Sequence, residues 1–362
     1  MFVDLLGFTL VLPALPFTVT QLGGGGLWLG VLMTGYSLAQ AIAAPILGRL
    51  ADRHGRRQLL LVSLAGSAIS LGAMGLAGSL WLLLAARVFA GACGGSIGVA
   101  QAFAVDIASP QRRTKAIGLI GAATGLAFTI GPALGSLAAP LGFSTTAGIA
   151  AALAMANLIM AWRTLPRSTP RPIAPSAPAP PQWLLLVAGF SSMAAFVGME
   201  TTLAFLVAFR FGGGPGVVGV LLCLAGLVMT LVQATGVAAA ARRWGDRGVA
   251  VTGALTMALG LPFLPTAPIP IFVGAVALLA AGQGLVTTTL ASMLAVAGPP
   301  ETRGTRMGQG QAAASAARMV GPVTAGVLFD VTVWLPYALG TAFSVATAAA
   351  VTRARTPAAR TS

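Results

Sequence analysis

The chain has 362 residues, 57% of them hydrophobic and 8% charged, with 21 Lys and Arg against 7 Asp and Glu and a mean hydropathy of +0.90. A soluble domain is about one quarter charged, so this composition excludes a water-exposed globule and points to a polytopic membrane protein. The net charge of +14 does not indicate nucleic acid, because the arginines fall in short loops between apolar runs; the single histidine excludes a His-cluster metal site, and Cys93 and Cys223 lie inside apolar runs as small buried hydrophobes.

Apolar runs long enough for a bilayer-spanning helix recur from end to end. In chain order they predict twelve spans, at about 2–20, 27–48, 58–77, 81–104, 116–139, 145–163, 183–207, 215–239, 249–264, 270–297, 308–330 and 333–352. The first is short: Phe2 to Phe17 gives about 24 Å of helix against a hydrocarbon core of about 30 Å. That shortfall favours a start codon upstream of Met1. The segment carries no signal-peptide cleavage pattern before QLGGGG.

Of the 21 Lys and Arg residues, 18 fall in loops on one side or in the tail. The positive-inside rule then places both termini and every basic loop in the cytosol. An odd number of spans would break this bias, so span count and orientation support each other. Between spans six and seven, RTLPRSTPRPIAPSAPAPPQ is too proline-rich for a helix and reads as extended chain. The expected architecture is therefore an all-α integral membrane protein with an N-terminal six-helix bundle (1–163), a cytosolic linker (164–182) and a C-terminal six-helix bundle with a short cytosolic tail (183–362).

The halves repeat at an offset of 190. Arg53, Gly55 and Arg57 align with Arg243, Gly245 and Arg247, and Gly118 and Gly131-Pro132 align with Gly308 and Gly321-Pro322. Two unrelated landmarks sharing one offset imply bundles in parallel repeat, the arrangement of a rocking-bundle transporter.

Three stretches stand out. Residues 48–57, GRLADRHGRR, gather Gly48, Asp52, Arg53, Gly55, Arg56 and Arg57 between two apolar spans. Span four carries Arg87 with Gly91, Gly95 and Gly98 beyond it, and span five carries Gly121, Gly125, Gly131, Pro132 and Gly135. A charge inside a span is costly and marks function, whereas an arginine near a helix end can snorkel to the interface. Glycines at such spacing let helices pack closely.

Along nearly its whole length the chain resembles the major facilitator superfamily of transporters. The loop matches the family signature Gly-x-Leu-Ala-Asp-Arg-x-Gly-Arg-Arg. VDLLGFTLVLPALP, YSLAQAIAAPILG and GLAFTIGPALGS resemble the twelve-span drug:proton antiporters, including tetracycline efflux proteins, with Ser136 where a second glycine is usual. The resemblance implies that Asp52 faces the N-terminus of the eleventh helix near Gly308 and that Arg56 pairs with Asp106, a latch closing the cytosolic side. A merely topogenic cluster would need arginines alone. It also implies a proton-linked Arg87, a first-span acid at Asp4 and a span-five antiporter seam.

Five of the seven acids sit in loops or at span ends, leaving Asp4 and Glu200. A buried carboxylate is a proton carrier or a hydrogen-bonded structural acid; Asp4, so near the chain start, is also placed close to the interface. Phe8, Tyr36, Gln40, Phe196, Thr201, Phe205, Gln233, Gln283 and Thr287 are expected to line an apolar cavity with few polar groups. Arg318 is left between an anionic ligand and the linker.

The function expected is secondary active transport: proton-coupled efflux of a small lipophilic compound by alternating access, by a monomer in the bacterial cell membrane. Its partners are the substrate, protons and lipid, with no nucleic acid, cofactor or metal. The alternatives are a sugar or metabolite carrier of the same fold and a non-transporting sensor. A membrane enzyme is disfavoured because no nucleophile–base or metal constellation is visible.

Overall fold

In the computed structural model the described residues are 1–11, 14–24, 26–94, 96–109, 112–138, 141–166, 182–212 and 215–354. Residues 167–181 of the expected linker and 355–362 of the expected tail lie outside them. Among the described residues the fold is all-helical, with α1 (Phe2–Val11), α2 (Leu15–Gln21), α3 (Gly26–His54), α4 (Arg56–Gly75), α5 (Leu80–Cys93), α6 (Ser96–Ile107) and α7 (Arg113–Ala138). They are followed by α8 (Phe143–Thr164), α9 (Trp183–Phe211), α10 (Pro215–Leu231), α11 (Val237–Gly260), α12 (Ile269–Val296), α13 (Arg303–Val331) and α14 (Leu335–Arg353).

Ten segments of the described residues are long and apolar enough to cross a membrane. One of them, Val217–Phe263, has 47 residues, about 70 Å as a single helix and twice what a bilayer needs. It breaks at Gly245, whose φ of 69° lies in the left-handed region, so the basic residues around it form a turn between two spans. Gly55 makes the same break between α3 and α4 with φ 95°. The sequence repeat is thus visible in the backbone, because at both places only a residue without a Cβ takes the required dihedral cheaply.

The helices fall into two compact units. The first comprises 1–106, 126–175 and 301–315, and the second 107–125, 176–300 and 316–362. Helices α7 and α13 therefore each contribute one part to each unit. In the first unit α1 packs on α8, α4 on α8 and α5, and α3 on α5. In the second, α9 packs on α14, α11 on α14 and α12, and α10 on α12, the same pairings displaced by one repeat.

The first unit's core is a cluster including Leu10, Leu15, Leu32, Leu71, Met74 and Leu83. Large apolar side chains such as Leu76, Leu137 and Val220 remain exposed, so the helices are apolar on both inner and outer faces, as a lipid environment demands.

Candidate functional site

The stretch 48–57 is the end of α3 and the start of α4, broken only at Gly55, and it is fixed by glycines and by one acid. A Cβ on Gly48 would lie 2.2 Å from the Gly304 carbonyl oxygen, and one on Gly308 would lie 2.3 Å from that of Ala44, so α3 and the start of α13 touch backbone to backbone. At that contact the Asp52 carboxylate accepts from the Gly304 N–H (2.7 Å), the Thr305 N–H (2.7 Å) and the Thr305 hydroxyl (2.9 Å). These are first-turn N–H groups of α13, which have no partner within the helix, and the carboxylate also meets the positive end of the helix dipole. The resemblance implies this contact near Gly308, and it falls about one turn earlier.

Arg56 donates to Asp52 (3.2 Å), to the Ala102 carbonyl (2.7 Å) and to Asp106. Arg303, which the sequence reading missed, pairs with the second oxygen of Asp106. Asp106 thus receives an arginine from each side. Arg57 reaches the Trp162 and Leu165 carbonyls at the end of α8 (2.6 and 2.9 Å), while Arg53 is exposed.

Deeper in the first unit, Arg87 is 2% exposed. Gly91 of the same helix allows the approach of Tyr36, whose carbonyl would be 2.2 Å from a Cβ there. The Arg87 guanidinium lies over the Tyr36 ring (4.9 Å) and the Phe8 ring (5.4 Å) and points one N–H at the Met33 sulfur (3.2 Å). Its Nε has no hydrogen-bond partner among the described residues. Aromatic faces hold this charge, a cation–π arrangement favoured in a desolvated site. The Phe8 and Tyr36 rings stack at 4.9 Å. With buried Asp4, Ser67 and Ser70 they line a cavity of about 30 Å³, room for a water or two. Gln40 donates to Tyr36 (3.3 Å) and to the Gly94 carbonyl (3.0 Å) and accepts from Ser315 (2.7 Å).

In the second unit Glu200 stays accessible in the middle of α9, with Arg318 as its charged neighbour. Arg318 and Gln283 each approach the Met193 sulfur at 4.0 Å. Gln283 and Gln233 are buried, and Gly121 and Gly125 of α7 face Gln233 and Thr230, each too close for a Cβ. Thr287 and Thr201 bond to backbone carbonyls of their own helices, Phe196 is half-buried, and Phe205 is exposed against Phe329. Gly131 and Gly135, from the later part of α7, leave room in the first unit for Thr9 and Leu10. The side chain of Pro132 lies outside those described.

One polar cluster has no counterpart in the sequence reading. Asp246, in the turn after Gly245, accepts from the Thr114 hydroxyl (3.0 Å) and bonds Ser292, which is 3.1 Å from Thr114. Burial pushes the Asp246 carboxyl above its ordinary range, and the Ser292 and Thr114 hydrogen bonds partly oppose this. At the offset of 190, Asp246 corresponds to Arg56, Ser292 to Ala102 and Gly304 to Thr114. The second unit builds the corresponding corner from an acid and hydroxyls. The offset was the signal that could have found it.

Among the described residues no group of three or more His, Cys, Asp or Glu side chains comes together as a metal site. The family model described as Major Facilitator Superfamily matches residues 1–241 and 185–362. Similar proteins include the Bos taurus major facilitator superfamily domain-containing protein 10, 29% identical over 89% of this chain and 84% of its own. They also include the class C tetracycline resistance protein of Escherichia coli, 28% identical over 90% and 87%. The crystal structure of the human organic anion transporter MFSD10 superposes with a TM-score of 0.85 at 24% identity over 97% and 96% of the two chains. A bacterial homologue of the iron transporter ferroportin superposes at 0.81 with 14% identity, again over 97% and 96%.

Proposed function

The chain belongs to the major facilitator superfamily, and we propose that it is a secondary active transporter that exports a small lipophilic compound in exchange for protons by alternating access. The observation that carries this reading is the Arg87 guanidinium held against Phe8 and Tyr36, which also wall the Asp4 cavity. A buried cation is expensive to keep inside a membrane, and here it shares a wall with a titratable acid. Asp4 and Glu200 carry protons, with Arg87 and Arg318 answering each change of charge. The similarity to tetracycline resistance proteins supports the drug-efflux direction.

The network of Asp52, Arg56, Asp106 and Arg303 acts as the latch, holding the cytosolic ends of α3 and α13 together while the opposite side opens. Twelve spans, two six-span repeats joined by the 164–182 linker, cytosolic termini and residence in a bacterial cell membrane as a monomer complete the proposal. One charge moved across a 100 mV potential supplies about 2.3 kcal/mol, enough to bias such a cycle.

A second reading is export of an organic anion. The placement of Arg318 beside Glu200 favours it, as does the similarity to MFSD10. Transport into inverted vesicles decides between coupled export and none. Arg87→Ala and Glu200→Gln should each abolish proton-driven accumulation while the proteins still insert; unchanged accumulation in both overturns the scheme.

A further inference from the structure

Inside the second unit, the helix that begins as α10 does not pass regularly into α11. Residues Val232–Gly236 form a π-helical turn, and Gln233 lies within it. Such wide turns insert a residue into the helical register and recur at functional sites. The surroundings are shaped around Gln233. A Cβ on Gly118 would lie 2.5 Å from the Gln233 carbonyl oxygen, and one on Gly121 would lie 2.8 Å from its Oε1. From α12, the position of Gly284 lies against the Gln233 side chain, with 3.4 Å between a Cβ there and the Gln233 Cγ. Gln283 is the neighbour of that glycine in sequence.

Both glutamines are almost wholly buried, Gln233 with 4% and Gln283 with 2% of its surface exposed. In each the carboxamide oxygen Oε1 is buried and accepts no hydrogen bond from any described residue. Buried acceptors are nearly always satisfied, so two unsatisfied ones on adjoining helices call for an explanation. A donor brought by a ligand supplies one. Packing does not, because same-length apolar side chains would fill the space without the desolvation penalty.

We propose that the Gln233 and Gln283 carboxamides form a hydrogen-bonding subsite that recognises a substrate by an O–H or N–H donor. The proposal rests on the transporter reading and narrows its substrate class, from lipophilic compounds in general to those bearing such a donor. A site of this kind rejects an analogue lacking the donor, since binding it would leave the carboxamides unsatisfied.

The test uses the purified full chain and a matched pair of fluorescent probes, 7-hydroxycoumarin and 7-methoxycoumarin, which share a ring and differ in the donor. The hydroxy compound should bind at least about tenfold more tightly. Gln233→Met and Gln283→Met should each reduce that preference, and neither should lower the melting temperature. Equal affinity for the two probes, no binding of either, or a preference that survives both substitutions overturns the subsite. So does a clear loss of stability in both variants, which would make the carboxamides structural. These measurements need no proton gradient: a preference that holds while export fails would sink the transport reading and leave the subsite standing.

Discussion

Asp52 and Thr305 lie 253 positions apart, yet one oxygen of the Asp52 carboxylate accepts both the backbone N–H and the hydroxyl of Thr305. Its other oxygen takes the N–H of Gly304 and a bond from Arg56. Asp52→Asn keeps the shape but turns one end of the group into a donor facing donors. Hydrogen bonds to a charged group are worth about 1.5–3 kcal/mol. Thermal unfolding should therefore show a loss of about that size, together with slower export. An unaltered melting temperature would mean that the carboxylate does not hold α13.

Arg87 separates stability from activity. A buried charge carries a desolvation penalty, and apolar residues of similar size are often neutral or stabilising by about 1–4 kcal/mol. Arg87→Met should leave the melting temperature unchanged or raised while abolishing proton-driven export. Arg87→Lys keeps the charge but loses the flat face that lies over Phe8 and Tyr36, and it should fail as well. Wild-type export by the lysine variant would remove the stacked geometry from the mechanism.

Asp246 gives a pH signature. Its carboxyl titrates above the ordinary range in the folded protein, so the folded state holds this proton more tightly than the unfolded state. The associated stability is fully present below the unfolded value of about 4. It is lost as pH rises through the raised folded value. Melting temperatures measured across this range should show the wild type falling relative to Asp246→Asn and then running parallel to it. Parallel curves throughout would show that burial does not perturb this group.

Glu200→Gln removes the accessible mid-helix acid of α9 without changing its size. In proteoliposomes the variant should lose uphill export driven by a pH gradient yet retain substrate movement down its own gradient. Retention of uphill export would leave Asp4 as the carrier.

Orientation is open to labelling. In a background without Cys93 and Cys223, cysteines placed at Arg210 and Arg243 should react with a membrane-impermeant maleimide from opposite sides, Arg243 from the cytosol. Both reacting from one side would refute the span count over this region.

Much of the fold is legible in the sequence because its signals are chemical. The apolar runs, the arginines between them and the glycines at 55 and 245 each report a physical demand that the backbone meets in place. What escapes is what depends on dihedral detail or distant partners. The apolar run at 81–104 reads as one span and Leu80–Ile107 is one such segment, but the regular helix α5, capped by Ser79, ends at Cys93 and α6 starts at Ser96. The run at 215–239 conceals a π turn, because hydropathy does not register one inserted residue. At the site, the pairing of Arg56 with Asp106 follows from the family motif. Arg303 joins them from a helix whose start the apolar pattern sets five residues too late, since the first turn of α13 is polar. Asp246 looks like another loop acid until its position is compared with that of Arg56.

The contact between Gly48 and Gly304 is reciprocal: each residue's missing methyl is where the other's carbonyl oxygen sits, at 2.2 Å in one direction and 2.6 Å in the other. Neither partner can shrink further to accommodate a mutation at its neighbour. Random drift at this point therefore has no local escape route, and genetic selection for revertants of Gly48→Ala should return true reversions or distant suppressors that shift whole helices.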